Sequence, residues 1–292
     1  MKTIGFIGVG LMGKSMVRNL MKAGFELRIF ARNPAKVSDV VSEGAQLYPS
    51  LVECVNSCDA VITIVGFPKD VSEVYFGDQE SGVTGILDSA KPGAFLIDMT
   101  TSSPQLSLKI FKQGTQKGFK ILDAPVTGGD TGAKAGTLSI LVGGQKEVFQ
   151  ACQPLFKAMG TNINYQGPAG CGQLAKLANQ IIIAGTMAGV CEALGFAKSK
   201  GLDLQTLFNS VATGAAGSTQ LNIFGPKIID GDMAPGFFIK HFIKDMTLAS
   251  QEANDSNLNL DILKQVLSHY ESLAAEGYAE LGTQALSKYY GL

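Results

Sequence analysis

The chain has 292 residues, 46% of them hydrophobic, with 24 Lys plus Arg against 25 Asp plus Glu and a formal net charge of -1. That length suggests two domains with sizeable cores, and the balanced charge lacks the basic excess of a nucleic-acid footprint. No run of roughly 18 apolar residues reads as a membrane span and no signal segment precedes the first strand, so a cytoplasmic protein without a membrane partner is expected.

In chain order, 2–7 reads as a strand and is followed by Gly8-Val9-Gly10-Leu11-Met12-Gly13. This G-x-G-x-x-G turn stands where a first strand hands over to a first helix. Gly8 permits the tight turn, Gly10 lets a pyrophosphate approach the backbone, and Gly13 lets helix and strand pack closely. Free N–H groups at the helix start then favour the anion. Gly24 ends that helix and 26–30 forms a second strand. Further strands are expected at 60–65, 94–98, 119–122, 138–142 and 162–165. Helices are expected between them at 35–43, 51–57 and 104–116, the last opening on Ser103-Pro104. Such alternation implies a doubly wound, largely parallel sheet.

The character changes near Gly167-Pro168-Ala169-Gly170. A long helical pattern runs from about Gly172 to Lys200, and its middle, Ile181-Ile182-Ile183-Ala184-Gly185, is apolar all round. Such a helix is buried in a domain or in an interface between subunits, so a homodimer or homotetramer is expected. Helices follow at 203–212, 217–229, 239–254, 260–274 and 277–289, without strands. The expected architecture is an α/β domain of Rossmann type over 1–165 and an all-α substrate and oligomerisation domain over 166–292.

The second strand ends in Phe30-Ala31-Arg32-Asn33. An NAD site usually carries an acid here for the ribose hydroxyls. Ala31 takes that place and Arg32 follows, and a guanidinium suits a 2′-phosphate. NADP is therefore the expected cofactor. Val65, at the end of another strand, is placed to pack on it.

Lys176 is the sharpest candidate for chemistry. It sits early in the long helix among small apolar residues, with Asn179 and Gln180 on its face. A lysine there can give a proton to a developing alkoxide, or take one in the oxidative direction. The competing reading is a lysine that snorkels to the surface. Asp123-Ala124-Pro125-Val126-Thr127-Gly128-Gly129 also follows a strand; Thr127 and the N–H groups of Gly128 and Gly129 suit a small carboxylate, or form a plain turn. Asp98-Met99-Thr100-Thr101-Ser102-Ser103 brings hydroxyls to a third strand end, where capping the next helix is a sufficient structural role. Cys54, Cys58, Cys152, Cys171 and Cys191 are scattered and odd in number, which fits reduced thiols. With only His241 and His269 beside them, no metal site is expected.

Together these motifs resemble the β-hydroxyacid dehydrogenase family, which includes 3-hydroxyisobutyrate dehydrogenases, tartronate semialdehyde reductases and glyoxylate/succinic semialdehyde reductases. The resemblance spans essentially the whole chain. Gly8 to Gly13 match the family's Met-containing glycine turn. Asp123 to Gly129 match its D-A-P-V-S-G-G segment, with Thr127 for the usual serine. Gly167 to Gln180 match its G-x-x-G-x-G-x-x-x-K-x-x-N-[NQ] segment. Lys244-Asp245-Met246-Thr247-Leu248-Ala249 match its K-D-L-x-L-A helix. The resemblance implies hydride transfer between NADP(H) and a small β-hydroxyacid, semialdehyde or glyoxylate-like substrate, with Lys176 as general acid and base. It implies a substrate carboxylate on Thr127, Gly128 and Gly129, oriented by Asn179 or Gln180, and cofactor contacts from Thr101 and Lys244. The alternatives are an NAD-dependent 3-hydroxyisobutyrate dehydrogenase or a non-catalytic dinucleotide-binding module. The larger 6-phosphogluconate dehydrogenases carry histidine and glutamate after the lysine, where this chain has Asn179-Gln180-Ile181-Ile182. Imine reductases generally lack the lysine.

Overall fold

A computed structural model describes residues 1–78 and 82–292. The chain divides into two compact units, Met1–Lys176 and Leu177–Leu292.

The first unit runs β1 (Thr3–Ile7), α1 (Leu11–Lys22), β2 (Glu26–Phe30), α2 (Ser38–Ser42), β3 (Gln46–Leu47), α3 (Leu51–Val55), β4 (Ala60–Thr63) and α4 (Pro68–Phe76). A short hairpin of β5 (Gly77–Asp78) and β6 (Val83–Thr84) leads to α5 (Ile86–Ser89), β7 (Phe95–Asp98) and α6 (Pro104–Gln116). Then come β8 (Lys120–Asp123), β9 (Val126–Thr127), α7 (Gly129–Ala135), β10 (Leu138–Gly144), α8 (Lys146–Ala151), α9 (Gln153–Met159) and β11 (Gly160–Gly167). The strands form one sheet in the order β11-β10-β8-β7-β4-β1-β2-β3, with β9 beside β10. From β3 to β8 all pairings are parallel, and β10 turns antiparallel to β8. Strand order reverses at β1, so the crevice at its carboxyl end is the place where such sheets bind ligands.

Both faces of the sheet are covered, and the strands show it residue by residue. Ile4, Phe6, Ala60, Ile62, Ile97 and Leu122 enter one core with Met16, Val17 and Leu20 of α1. Their neighbours Ile7, Val61, Leu96 and Ile121 enter the opposite core with Val55 and Tyr75. Strands buried on both sides read as continuous apolar runs, as these do. The seven strands expected from the sequence are present, while the two-residue strands β3, β5, β6 and β9 and the helices α4, α5, α8 and α9 are additions. α4 opens on Pro68, and Asp70 accepts the Phe67 N–H at 3.0 Å, so its start signal is local and short.

The helix α10 (Cys171–Ser199) begins in the first unit and continues into the second. It is followed by α11 (Leu204–Val211), α12 (Thr219–Ile229), α13 (Ile239–Asp255) and α14 (Asp261–Leu273). Gly201, at φ +74°, ends α10 by turning the chain so that Leu202 donates to the Ala197 carbonyl. Ala184, Met187, Cys191 and Leu194 of α10 bury into a core with Phe242, Met246, Leu263 and Tyr270. As a whole, α10 is long and apolar enough by length and composition to cross a membrane, although no 18-residue uninterrupted apolar run marks it; 44% of its most apolar stretch is buried. The helix expected over 277–289 is instead broken. Gly277 takes φ +93°, and the chain resumes as a tight 3-10 turn over Thr283–Tyr290.

Candidate functional site

The glycine turn follows β1 and opens α1, and its glycines divide by what surrounds them. A Cβ on Gly8 would lie 2.0 Å from the Ile64 carbonyl oxygen, and Gly8 already holds φ +103°. A Cβ on Gly13 would lie 2.0 Å from the Gly8 carbonyl oxygen. Those two are required by the protein's own packing. Gly10 is exposed, and a Cβ there would meet nothing within 4 Å. Gly10 caps α1 without a side-chain hydrogen bond, so the first-turn N–H groups of Leu11, Met12 and Gly13 are not served by a capping side chain. Val9 is buried beneath this turn. The space is on the ligand's side of the turn, and the residues fit a pyrophosphate.

At the end of β2, Ala31 is half-buried while Arg32 and Asn33 are exposed. The Asn33 carboxamide accepts the Ala35 N–H at 3.1 Å, which fixes the turn behind Arg32. The Arg32 guanidinium lies 3.7 Å from Asp70, with 83% of its side chain exposed, so it is held loosely.

Three further strand ends are tied to one another. Thr63, in β4, donates to the Asp98 carboxylate at 2.8 Å, and the same Asp98 oxygen accepts the Thr100 N–H at 3.1 Å. The Val65 N–H donates to the Thr100 hydroxyl at 3.0 Å. Thr101 is next in this loop and is half-buried. From β8, the buried Asp123 accepts the N–H groups of Gly170 at 2.8 Å and Gln173 at 2.9 Å. It thus serves the otherwise unpaired donors at the start of α10. Burial pushes its pKa up to about 6, against the pull of those donors. A Cβ on Gly172 would come within 2.8 Å of this carboxylate and 2.5 Å of the Asp123 carbonyl, so the glycine admits the carboxylate. Thr127 closes β9 half-buried, and Gly128 and Gly129 follow exposed at φ +127° and +62°.

Lys176 lies in the second turn of α10 and is only 7% exposed. One turn before it stands Gln173, fully buried. Its carboxamide accepts the Ser102 N–H at 2.9 Å and donates to the Thr100 carbonyl at 2.7 Å. Sequence reasoning treated Gln173 as a spacer within the motif and gave Asp123 no role. Their signal was present only as polar residues inside otherwise apolar or glycine-rich segments.

In the helical unit, Asn179, Gln180 and Lys244 gather around Asp245. Gln180 donates to Asp245 at 2.6 Å and accepts from Asn179 at 2.8 Å. The Lys244 ammonium lies 2.8 Å from the other Asp245 oxygen. Gln180 and Asp245 are each 1% exposed. Lys240, one turn before Lys244, is engaged by Glu280 at 2.6 Å. All five cysteines carry free thiols, and burial pushes those of Cys54 and Cys152 up to about 12. Among the described residues no three His, Cys, Asp or Glu side chains gather as a metal site would need.

Two domain profiles match the chain. One described as the NAD binding domain of 6-phosphogluconate dehydrogenase matches residues 3–167, and one described as NAD-binding of NADP-dependent 3-hydroxyisobutyrate dehydrogenase matches 170–290. Among relatives, the uncharacterized oxidoreductase YkwC of Bacillus subtilis is 46% identical over 98% of both chains. The 2-hydroxy-3-oxopropionate reductase of Escherichia coli is 36% identical over 97% of this chain and 95% of its own. An NAD-dependent L-serine dehydrogenase of Pseudomonas aeruginosa is 34% identical over 99% and 97%. The crystal structure of a 3-hydroxyisobutyrate dehydrogenase from Salmonella typhimurium is similar at a TM-score of 0.89, with 25% identity and 99% of each chain covered.

Proposed function

This chain belongs to the β-hydroxyacid dehydrogenase family, nicotinamide-dinucleotide oxidoreductases that act on CH–OH groups, and on that premise we propose that it is an NADP-dependent reductase of a small semialdehyde or glyoxylate-like acid. The observation that carries the reading is Lys176, an ammonium-bearing side chain 7% exposed near the start of a helix fastened to the carboxyl ends of β7 and β8. A bound nicotinamide dinucleotide supplies the hydride in reduction and accepts it in oxidation.

In this reading Gly10 and the first-turn N–H groups of α1 hold the pyrophosphate, with Val9, Leu11, Met12 and Gly13 shaping the turn. Arg32, beside Ala31 and Asn33, holds a 2′-phosphate, and Val65, Thr101 and Lys244 complete the cofactor contacts. Thr127 and the N–H groups of Gly128 and Gly129 bind the substrate carboxylate. Asn179 and Gln180 orient the substrate. Lys176 donates a proton from Nζ to the carbonyl oxygen as it is reduced, and recovers it in the reverse direction. NAD is the second reading for the cofactor, favoured by the NAD-dependent name of one relative. The exposed Ile182 and Phe196 of α10 support a homodimer or homotetramer.

The test is a panel of small aldehydo- and keto-acids with NADPH and NADH, run on the wild type and on Lys176→Ala. Turnover by the wild type, lost in Lys176→Ala while NADPH still binds, supports the reading. Full activity in the variant overturns it.

A further inference from the structure

Gln173 is fully buried, and its two amide atoms both grip the main chain of the β7 loop. Its oxygen takes the Ser102 N–H and its nitrogen gives to the Thr100 carbonyl, at 2.9 and 2.7 Å, so the two bonds straddle Thr101. Its own backbone N–H goes to Asp123 at 2.9 Å. One residue therefore joins the β7 loop, the end of β8 and the start of α10. Each polar group of Thr100 is engaged: its N–H donates to Asp98, its hydroxyl accepts the Val65 N–H, and its carbonyl accepts from Gln173. The loop is thus held from the β4 side by the Val65 N–H and from the helix side by Gln173. Lys176, three residues on, shares the Gln173 face of α10.

We propose that Gln173 is a positioning residue: its carboxamide clamps the Thr100–Ser102 loop to α10 and so sets Lys176 and Thr101 in one fixed relation. The proposal rests on the dehydrogenase reading above. The chemistry demands this side chain. A planar carboxamide presents one acceptor and one donor side by side, matching the N–H and C=O that flank a single residue. A glutamate offers two acceptors, and one of them would face the Thr100 carbonyl. A methionine has the length and shape but neither bond. Both changes leave untouched the apolar clusters on the two sheet faces, to which Gln173 does not belong. Reacting groups must be held to within a fraction of an ångström, and a 1 Å misplacement costs on the order of a hundredfold in rate.

The experiment compares wild type, Gln173→Met and Gln173→Glu by thermal unfolding, NADPH titration, steady-state kinetics across pH, and hydrogen exchange of the peptide holding Ser102. Expected for each folded variant is faster exchange at Ser102 and a kcat lower by roughly ten- to a hundredfold. The NADPH Kd and the substrate KM stay within about threefold, and the pH profile of kcat is displaced because the surroundings of Lys176 have changed. If Gln173→Met fails to fold, Gln173→Glu decides. A folded variant with wild-type kcat and pH profile overturns the positioning role, as does a kcat loss matched by an equal loss of NADPH affinity. A wild type that turns over no substrate with either cofactor overturns instead the dehydrogenase reading beneath it, with the exchange at Ser102 still reporting the clamp.

Discussion

The Asp123 carboxylate accepts the backbone N–H of Gly170 at 2.8 Å, and so caps a helix that begins in a different part of the chain. Its burial, which outweighs its hydrogen bonds, makes the stability of the protein pH-dependent. Folded Asp123 keeps its proton up to about pH 6, whereas an unfolded aspartate releases it near about 3.9. Between those values the native state binds more protons, so raising the pH through them favours unfolding. The contribution is present in full below about pH 4 and lost above about pH 6, a change of about 3 kcal/mol at most. Denaturant titrations of the wild type and Asp123→Asn from pH 4 to 7 should show this decrement only in the wild type. Parallel curves would refute it.

Gln180 links a buried carboxylate to a half-buried amide in the helical unit. Its amide is engaged by Asp245 on one side and Asn179 on the other. Gln180→Ala removes a donor from a buried carboxylate, and the expected loss of stability is about 1.5–3 kcal/mol. Asn179→Ala should cost about 0.5–1.5 kcal/mol, since its bond is neutral and partly exposed. Urea midpoints at constant m-value provide the check; an undestabilised Gln180→Ala would reduce its role to substrate contact.

Gly10 and Gly13 separate binding from folding. Gly10→Ala places a methyl group in open space, so its unfolding midpoint should stay within about 0.5 kcal/mol of wild type. Its NADPH affinity should fall by about tenfold or more, because the methyl occupies the pyrophosphate's approach. Gly13→Ala drives a Cβ into the Gly8 carbonyl and should lose stability as well. Calorimetric titration with NADPH beside thermal unfolding distinguishes the two; unchanged affinity in a folded Gly10→Ala would remove the dinucleotide assignment of the turn.

Arg32 is loosely held by Asp70 and free to engage a phosphate. Arg32→Asp should weaken NADPH binding by about tenfold to a hundredfold and leave NADH binding equal or improved, as expected from losing a charge-assisted fork and gaining a ribose acceptor. The ratio of kcat/KM for the two cofactors is the readout. A persistent NADPH preference in the variant would assign selectivity elsewhere.

If α10 forms a subunit interface, Ile182→Glu and Phe196→Glu should shift the protein towards monomer, since both are more than half exposed in the single chain. Light scattering tests this, and a monomeric wild type ends the idea.

Much of the first unit was legible because its signals are local. Each parallel strand is a short apolar run, and their alternation with helices implies a largely parallel sheet, while the strand order and the antiparallel β10 are tertiary. The glycine turn announced itself by spacing, and the motifs around Thr127, Lys176 and Lys244 by their resemblance to a family. α4 escaped because its cap lies in Phe67 and Asp70, without a serine or threonine at the start. The helix expected over 277–289 forms only as a 3-10 helix over Thr283–Tyr290, because Gly277, at its expected start, takes a positive φ that the apolar periodicity does not signal.

The sequence by itself determined the seven main strands, the glycine turn and the absence of an acid after β2, since each depends on neighbours a few residues apart. Tertiary structure alone decided that Asp123 caps α10, that Gln173 clamps Thr100 and Ser102, and that Gln180 is committed to Asp245. Those partners lie 47 to 73 residues apart along the chain, and which buried amide meets which backbone group is set by how the strand ends and the helix come together.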